Sequence, residues 1–440
     1  MSGGADSRFL ISPGGCLRGR LRVPGDKSIS HRAIMLGALA RGVTRVSGFL
    51  EGEDSLATLA AFRAMGVTIQ GPDKGKLVIE GVGREGLKAP ASPLDLGNSG
   101  TSMRLLSGLL AGQGFEVTLI GDASLSRRPM RRVTEPLIRM GACIETSPEG
   151  TAPLRIRPVE RLLGIDYVMP VASAQVKSCL LLAGLFAQGR TCVTEPAPTR
   201  DHTERMLAGF GYGVQRRQAT VCLEGGGQLV GRDLDIPADI SSAAFFLVGA
   251  SIAPGSDLTL EHVGMNPTRI GVINILRAMG ADIQVLNPSD AGGEPVADLR
   301  VRAAALKGIR ITVDQVPLAI DEFPAIFIAA ACAEGETLLT GAEELRVKES
   351  DRIQVMADGL GALGLDARPR PDGLLIRGGA LAGATLDSHG DHRVAMAFAI
   401  AALRAREAIE VRDCANVRTS FPDFSSLAAG VGLKILEENP

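Results

Sequence analysis

Six segments of the chain are apolar on nearly every side of a predicted helix. They begin near residues 27, 98, 173, 239, 321 and 391, and two of them are KSISHRAIMLGALARG and DISSAAFFLVGASIA. A helix without a polar face is a buried helix, because only the protein interior accommodates apolar side chains on all sides. The pattern therefore predicts six inner helices.

A second series of six helices alternates with the first and is amphipathic. Each of these helices ends in a glycine that leads into a short strand, at Gly66, Gly141, Gly211, Gly280, Gly364 and Gly432. Glycine after the last apolar turn is a common helix stop, because it adopts a left-handed backbone at little cost. The alternation repeats about every 70 residues, and self-similarity of this kind indicates repeated supersecondary units.

The repeats predict an α/β protein with two domains of three units each. A chain of 440 residues has room for two or three domains at about 100 to 200 residues per domain. We place the boundary in the Gly-rich segment that ends at Pro237. The first strand, CLRGRLRVPG, precedes every helix, so we expect it to pair with the later half. The predicted domains are residues 1–23 plus 238–440, and residues 24–237.

Composition argues against nucleic-acid and membrane partners. The chain has no Trp, two Tyr and a formal net charge of −2, so it offers little stacking surface and no basic excess. No apolar stretch reaches the roughly 18 residues of a membrane span, and the start lacks a basic and apolar leader. Seven cysteines without C-x-x-C spacing indicate neither a zinc site nor a disulfide framework. We expect a cytoplasmic protein with free thiols.

Polar and charged residues cluster where the inner helices begin. A helix start exposes unpaired N–H groups and the positive end of the helix dipole, so several starts together favour a polyanion site. A plain N-cap needs only one polar residue, and Ser28, Asn98, Ser173 and Asp239 can each be such a cap. The larger clusters are Lys27 with Ser28 and Arg32, Asn98 with Thr101 and Arg104, Gln175 with Lys177, Asp321 with Glu322, and Asp391 with His392 and Arg393.

Two further segments carry cations suited to the same site. GDASLSRRPMRRV contains Arg127, Arg128, Arg131 and Arg132, and EELRVKESDRI contains Lys348, Glu349 and Arg352. The alternative is a solvated arginine face and an ordinary i,i+3 surface ion pair between Glu349 and Arg352.

Lys27, Asp321 and Glu349 are the acid and base candidates, because neighbouring charges at helix starts shift pKa values. The sequence has no nucleophile elbow, no P-loop and no dinucleotide fingerprint. The five histidines show no metal-ligand pattern. We therefore expect neither a metal nor a nucleotide cofactor.

Taken together, these motifs resemble those of the 5-enolpyruvylshikimate-3-phosphate synthase family of the shikimate pathway. They are PGDKSISHR (24–32), LGNSGTSMR (96–104), RRPM (127–130), ASAQVKS (172–178), LRVKESDR (345–352) and DHR (391–393). The resemblance covers essentially the whole chain, and GDKS, SAQVK, RDHTE and NPTR are similar to the bacterial class II branch. It implies the two-domain enolpyruvyl transferase fold, with six βαβαββ units whose inner helices point at an interdomain cleft. It also implies a monomer.

The resemblance implies that the site binds phosphoenolpyruvate and shikimate 3-phosphate. Asp321 would accept the proton of the attacking 5-hydroxyl, while Lys27 and Glu349 would protonate and deprotonate the enol carbon on either side of a tetrahedral ketal. The shikimate 3-phosphate-binding residues would be Lys27, Ser28, Arg32, Ser173, Gln175, Arg200, Asp321 and Lys348. The phosphoenolpyruvate-binding residues would be Lys27, Gly100, Arg128, Gln175, Arg352 and Arg393.

Two positions depart from the family pattern. Ala174 replaces a serine of the third motif, so one hydroxyl contact is absent or replaced by backbone. Thr419 stands where many members have a lysine, so a cation is missing unless Arg418 reaches in. Gly100 lies in the subsite that the inhibitor glyphosate occupies in this family, and we hypothesise a sensitive enzyme.

Two alternative functions stay open at this point. The sister transferase that acts on UDP-N-acetylglucosamine shares the fold, but it usually carries a functional Cys in a loop where this chain reads GDASLSRRPM. A noncatalytic polyanion-binding scaffold would bind shikimate 3-phosphate without releasing phosphate, and it leaves Asp321 and Glu349 unexplained.

Overall fold

Helices and strands alternate throughout residues 7–438, which are the residues described by the computed structural model. The helices are α1 (Lys27–Leu39), α2 (Glu53–Ala64), α3 (Gly100–Leu110), α4 (Arg131–Arg139), α5 (Ala174–Gly184), α6 (His202–Gly209), α7 (Ile240–Ile252), α8 (Gly271–Ala278), α9 (Val316–Ala319), α10 (Phe323–Ala331), α11 (Arg352–Ala362), α12 (His392–Ala401) and α13 (Phe424–Gly430).

The strands are short, and most have between three and eight residues. They are β1 (Arg8–Ile11), β2 (Arg18–Leu21), β3 (Ala40–Ser47), β4 (Thr68–Asp73), β5 (Lys76–Val82), β6 (Leu94–Asp95), β7 (Val117–Ile120), β8 (Cys143–Glu145), β9 (Leu154–Arg157), β10 (Asp166–Val168), β11 (Arg190–Thr194), β12 (Val214–Arg217), β13 (Thr220–Glu224), β14 (Leu229–Val230), β15 (Asp233–Asp235), β16 (Asp257–Gly264), β17 (Asp282–Ala291), β18 (Glu294–Arg302), β19 (Glu336–Leu339), β20 (Asp366–Arg370), β21 (Gly373–Arg377), β22 (Ala384–Asp387), β23 (Ile409–Arg412) and β24 (Ile435–Glu438).

Contacts divide the described residues into two units. The split unit contains residues 7–24, 237–290 and 295–438, and the inserted unit contains residues 25–236 and 291–294. Each unit has its own hydrophobic core. That each of them folds as a separate domain, with the boundaries given above, stays a prediction.

Each unit holds three small sheets, and all of them except the three-stranded β19-β21-β20 share a strand order. In the sheet β6-β7-β9-β8, the first two strands are parallel and the other pairs are antiparallel. The sheet β10-β11-β13-β12 repeats this arrangement. The order strand, helix, strand, helix, strand, strand along β6 to β9 is the βαβαββ unit, so the α/β class and the repeat are confirmed.

The N-terminal strands pair with the later half of the chain, as predicted. Strand β2 is parallel to β16 in the sheet β17-β18-β16-β2, and β1 lies between β23 and β24. In the inserted unit, β14 and β15 in turn run parallel to β3. The chain therefore completes the first sheet of each unit with a strand from a distant part of the sequence.

The six inner helices are confirmed and are buried as their composition requires. They are α1, α3 and α5 in the inserted unit and α7, α10 and α12 in the split unit. Every residue of α7, α10 and α12 is buried. The glycines after the outer helices have left-handed backbones, for example φ +87° at Gly66 and +118° at Gly432. Within residues 7–438, no helix is both long and apolar enough to cross a membrane.

The expectation that all cysteines are free thiols is wrong for one pair. Cys192 of β11 and Cys222 of β13 are direct partners in an antiparallel ladder, and a disulfide joins them. Linear spacing could not predict this pair, because strand register brings together two residues that are 30 apart in sequence. The free cysteines are Cys16, Cys143, Cys179, Cys332 and Cys414.

Candidate active site

The first helix start places Lys27 beside an acidic partner. Asp26 caps α1 by accepting the N–H of Ile29 at 2.9 Å, so Lys27 is the first helical residue. Its ammonium donates to Asp54 at 3.0 Å, and the Lys27 side chain is 17% exposed. Since Asp54 lies in the first turn of α2, the pair fixes Lys27 against a second helix. Ser28 does not cap the helix, so the interpretation of Ser28 as a cap is wrong.

Arg32 lies one turn further along α1 and is buried with all of its guanidinium nitrogens engaged. Its Nη1 donates to the Ser28 carbonyl at 2.8 Å, its Nε to Thr203 at 2.7 Å, and its Nη2 to Ser178 at 2.8 Å. Burial lowers the pKa of Arg32 to about 10. The guanidinium therefore stays charged at neutral pH and is held in one orientation.

The second and third helix starts are joined by their polar side chains. Arg104 of α3 donates to the side-chain Oε1 of Gln175 at 2.6 Å, and the side-chain Nε2 of Gln175 donates to the Thr101 hydroxyl at 3.2 Å. Arg128 donates to Asn98 at 2.5 Å. Gln175 and Arg128 were predicted to bind substrate, whereas Arg104 was predicted only as a member of the polar cluster at its helix start. The signal for Arg104 was its charge within an otherwise apolar helix, which requires a specific partner.

Gly100 is the first residue of α3 and lies between two guanidinium groups. A Cβ atom on Gly100 would lie 3.1 Å from Nη1 of Arg128 and 3.3 Å from Nη1 of Arg104. Both distances are shorter than ordinary carbon contacts. A side chain here would therefore crowd the two arginines.

Local capping accounts for two of the predicted cap residues. Ser173 caps α5 through the N–H of Val176, and Asp239 caps α7 through the N–H of Ser241. Asn98 is not the cap of α3, because Ser99 takes that role. Asn98 is instead the acceptor for Arg128, which fits its place in the predicted motif.

Arg200, the remaining site candidate of the inserted unit, is half-buried in the loop before α6. Its charge lowers the pKa of Arg32, whose largest shift comes from burial. The inserted unit thus carries seven of these residues at or near the starts of α1, α3, α5 and α6: Lys27, Arg32, Gly100, Arg104, Arg128, Gln175 and Arg200.

In the split unit, Arg352 is the centre of a second cluster. The side chain is 1% exposed and donates to both oxygens of Asp391, at 2.8 and 3.2 Å, and to Glu349 at 2.7 Å. Burial opposes the charge, but Asp391 and Glu349 outweigh burial and raise the pKa of Arg352. The predicted i,i+3 pair with Glu349 is present, but its arginine is buried rather than solvated.

Asp321 lies between two cations just before α10. Its Oδ1 is 3.3 Å from the Lys348 ammonium and 3.6 Å from Nη1 of Arg352. Asp321, Lys348, Glu349 and Arg352 therefore form one charge network within the split unit.

Asp391 belongs to the same network. The sequence placed it in the polar cluster at the sixth helix start but gave it no catalytic or substrate-binding role. This carboxylate is fully buried, accepts two bonds from Arg352 and one from Ser350, and caps α12 through the N–H of Arg393. It therefore orients Arg352 and fixes the helix start that carries Arg393. Its position before an apolar helix could be read from the sequence, but its partner Arg352 lies 39 residues away.

The fourth helix start, which had no predicted role beyond capping, is part of a buried network. Arg269 donates to Asp239 at 3.1 Å and to Ser241, and Ser241 donates to Glu322. Glu322 is the neighbour of Asp321 in sequence, so this network links the starts of α7 and α10.

The structure shows where the two positions that depart from the family pattern lie and what they contact. Ala174 is the first residue of α5. Thr419 donates to the Asn416 carbonyl at 2.7 Å, and Arg418 lies 3.5 Å from Glu437 of β24.

Comparisons with known proteins agree across nearly the whole chain. The family model for EPSP synthase (3-phosphoshikimate 1-carboxyvinyltransferase) matches residues 11–427. A 3-phosphoshikimate 1-carboxyvinyltransferase from Methylococcus capsulatus is 71% identical over 430 residues, which are 98% of each chain. The protein of that name from Alkalilimnicola ehrlichii is 71% identical over 97% of this chain and 96% of its own length.

A solved structure gives the same result for the fold. EPSP synthase from Acinetobacter baumannii is 57% identical, with a TM-score of 0.89 over 98% of this chain and 100% of the solved one. The motifs, the repeated fold and these similarities together place the chain in the EPSP synthase (3-phosphoshikimate 1-carboxyvinyltransferase) family.

Proposed function

We propose that this protein transfers the enolpyruvyl group of phosphoenolpyruvate to the 5-hydroxyl of shikimate 3-phosphate and releases phosphate. The observation that carries the proposal is the charge network of Asp321, Lys348, Glu349 and Arg352, which combines a general-base candidate with anion-binding cations. Relatives at 71% identity bear the name of this activity. The reaction belongs to the shikimate pathway of aromatic amino-acid biosynthesis.

Phosphoenolpyruvate carries a carboxylate and a phosphate, so its site needs several fixed cations. Arg128 and Arg104 flank Gly100 in the inserted unit. In the split unit, Asp391 holds the guanidinium of Arg352 and caps the helix start that carries Arg393. Arginine suits this task because its planar donors bind carboxylate and phosphate in pairs. We propose Lys27, Gly100, Arg128, Gln175, Arg352 and Arg393 as the phosphoenolpyruvate-binding residues.

Shikimate 3-phosphate needs cations for its phosphate and carboxylate and polar groups for its hydroxyls. Arg32 is preorganised by three hydrogen bonds, and Arg200 lies near enough to influence its charge. Asp321 and Lys348 form a pair at 3.3 Å that is suited to a hydroxyl group. The proposed binding residues are Lys27, Ser28, Arg32, Ser173, Gln175, Arg200, Asp321 and Lys348.

The proposed mechanism is addition followed by elimination. Asp321 accepts the proton of the 5-hydroxyl, whose oxygen bonds to C2 of phosphoenolpyruvate while C3 receives a proton from Lys27 or Glu349. In the second step, C3 returns a proton and the bond between C2 and the phosphate oxygen breaks. The leaving group is inorganic phosphate. Fixed cations lower the barrier, because they are already oriented toward the charge that develops.

Phosphate release distinguishes this function from the two alternatives. The purified protein, mixed with phosphoenolpyruvate and shikimate 3-phosphate without metal or nucleotide, should release inorganic phosphate continuously. A parallel reaction with UDP-N-acetylglucosamine should release none. Binding of shikimate 3-phosphate without any phosphate release would favour the scaffold function and reject the transferase.

We further propose that the protein works as a monomer in the cytoplasm. All of the proposed site residues come from one chain, so no partner chain is required. The exposed Cys143 is a free thiol, which suits a reducing compartment, whereas the Cys192–Cys222 disulfide does not argue for one. Both proposed substrates are phosphorylated and would not cross a membrane unaided.

A further inference from the structure

A buried charge cluster in the inserted unit has no part in the proposed mechanism. Lys177 of α5 is fully buried, and its ammonium lies 2.9 Å from Glu195 and 2.8 Å from Glu204. The side chains of Glu195 and Glu204 are 1% and 8% exposed. Burial of three charges is costly unless each is paired, so such a cluster needs a specific reason to be there.

The cluster fixes the loop that leads to Arg200. Besides its bond to Lys177, Glu195 accepts the backbone N–H of Thr199 at 3.3 Å and the hydroxyl of Thr199 at 2.7 Å. Lys177 also donates to the Thr199 carbonyl at 3.4 Å. Every polar group of Thr199 is therefore tied to this cluster, and Arg200 is the next residue.

The same cluster also reaches the surroundings of Arg32. Glu204 and Thr203 are neighbours in the first turn of α6, and Thr203 accepts from Arg32 at 2.7 Å. Ser178, which follows Lys177 in α5, accepts from both Arg32 and Thr203. The negative charge of Glu204 also supports the charged form of Arg32, against the larger effect of burial.

Among the described residues, Lys177 is the cation in direct contact with Glu204, whereas Arg32 and Arg205 act on it from further away. Its contact with Lys177 is a charge pair at 2.8 Å without hydrogen-bond geometry, and neither oxygen of Glu204 has a hydrogen-bond partner. Glu195 differs, because Arg216 provides a second cation at 3.0 Å. Loss of the Lys177 charge would therefore leave the buried Glu204 without a directly paired cation.

We propose that Lys177 is a positioning residue that holds Arg200 and Arg32 in place for the anionic groups of shikimate 3-phosphate. The inference rests on the proposed function, because it assumes that these two arginines bind this substrate. Lys177 itself is too deeply buried to contact a ligand. Its effect is on the binding of shikimate 3-phosphate, whereas Arg104 and Arg128, which flank Gly100, are left in place.

The test compares Lys177→Met with a matched control, Arg216→Met. Both variants remove a cation from Glu195, but Arg216 is 39% exposed and its loss can be compensated by water. For Lys177→Met, the Kd for shikimate 3-phosphate from calorimetry and its KM should rise about tenfold or more, because displaced charges bind poorly. The KM for phosphoenolpyruvate should change less than about twofold in the same variant. Arg216→Met should bind shikimate 3-phosphate like the wild type.

A second substitution separates positioning from general stability. In Lys177→Met/Glu204→Gln, the uncompensated carboxylate is gone, so the affinity for shikimate 3-phosphate should partly recover. If Lys177→Met does not fold, Glu204→Gln alone can be tested. It should lower the affinity for shikimate 3-phosphate and leave that for phosphoenolpyruvate unchanged. Unchanged affinity for shikimate 3-phosphate, or equal loss for both substrates, would overturn the positioning role. A wild-type protein that binds shikimate 3-phosphate but releases no phosphate would overturn only the transferase activity.

Discussion

At the scale of the residue, the account depends most on Asp321. We expect Asp321→Asn to lower kcat by about 100-fold or more, because the amide cannot accept the hydroxyl proton. The KM for each substrate should change little, since the amide keeps a similar shape. Steady-state kinetics with each substrate varied in turn would measure both quantities. Equal effects on kcat and on substrate affinity would make Asp321 a substrate-binding residue without a role as the general base.

Gly100 gives a second prediction at this scale. In Gly100→Ala, the added methyl group would lie 3.1 Å from Arg128 and 3.3 Å from Arg104. We expect the KM for phosphoenolpyruvate and the inhibition constant of glyphosate to rise, the latter by roughly tenfold, because misplaced cations bind anions poorly. The KM for shikimate 3-phosphate should stay near the wild-type value. An unchanged inhibition constant for glyphosate would refute the crowding argument.

His31 gives a prediction of how the free energy of unfolding changes with pH. Its ring is fully buried and bonded to Thr58 at 2.8 Å, and burial holds its pKa well below the usual value of 6.5. Below about pH 6.5 the unfolded chain binds a proton that the folded chain does not, so this histidine lowers the free energy of unfolding as pH falls. Denaturant unfolding between pH 7.5 and 5 would measure this effect. As the pH falls, the free energy of unfolding should decline less steeply in His31→Asn than in the wild type, by up to about 1.4 kcal/mol per pH unit.

The control for His31 is His389→Asn, since the His389 side chain is 60% exposed. Its unfolding free energy should follow the wild-type pH dependence. A wild-type slope in His31→Asn would contradict the assignment of His31 as a buried neutral group.

Individual site residues could be predicted only where a motif marked them. Motifs marked Lys27, Gln175 and Arg352 and the positions of Arg104 and Asp391, but not that Arg104 and Asp391 act through partners 71 and 39 residues away. Such pairs depend on how helix starts are arranged in space, and the periodicity of one helix carries no such information. The same reason explains why Ser99 rather than Asn98 caps α3.

At the scale of the element, close packing of inner helices is the feature most open to test. A Cβ on Gly108 of α3 would lie 2.0 Å from the carbonyl oxygen of Cys179 in α5, so the two backbones touch at this point. We expect Gly108→Ala to lower the free energy of unfolding by about 1 to 3 kcal/mol through overpacking. Denaturant unfolding would measure the change.

Gly361→Ala in α11 is the matched control for this packing. Gly361 is exposed and an added Cβ would meet nothing within 4 Å, so the substitution should stabilise the protein by about 0.5 to 1 kcal/mol. If Gly108→Ala were as stable as the control, the close contact between α3 and α5 would be wrong.

Element type was predictable, because the buried and amphipathic helices have different apolar patterns. The number of strands in each sheet and their pairing were not predictable. The fifth repeat keeps only three strands in its sheet, β19-β21-β20, and isolated parallel bridges such as that of Lys307 with Glu334 lie beside them. Strands this short carry too few residues for a clear alternation.

At the scale of the whole molecule, the sequence predicted six repeats and the pairing of the first strand with the later half. Each repeat cannot bury both of its helices alone, so three repeats share one core. The Cys192–Cys222 disulfide was beyond prediction, because it depends on the register of β11 against β13. The division into two independently folding domains stays a prediction.

The central claim is transfer of the enolpyruvyl group with cleavage of the bond between C2 and the bridging oxygen of phosphoenolpyruvate. The most direct measurement uses phosphoenolpyruvate labelled with ¹⁸O in that bridging position, together with shikimate 3-phosphate, and mass spectrometry of both products. The account predicts that the label leaves with inorganic phosphate and that the shikimate product gains an unlabelled enolpyruvyl ether. Unlabelled phosphate, with the heavy oxygen kept on the three-carbon fragment, would mean cleavage between phosphorus and oxygen and would contradict the proposed reaction.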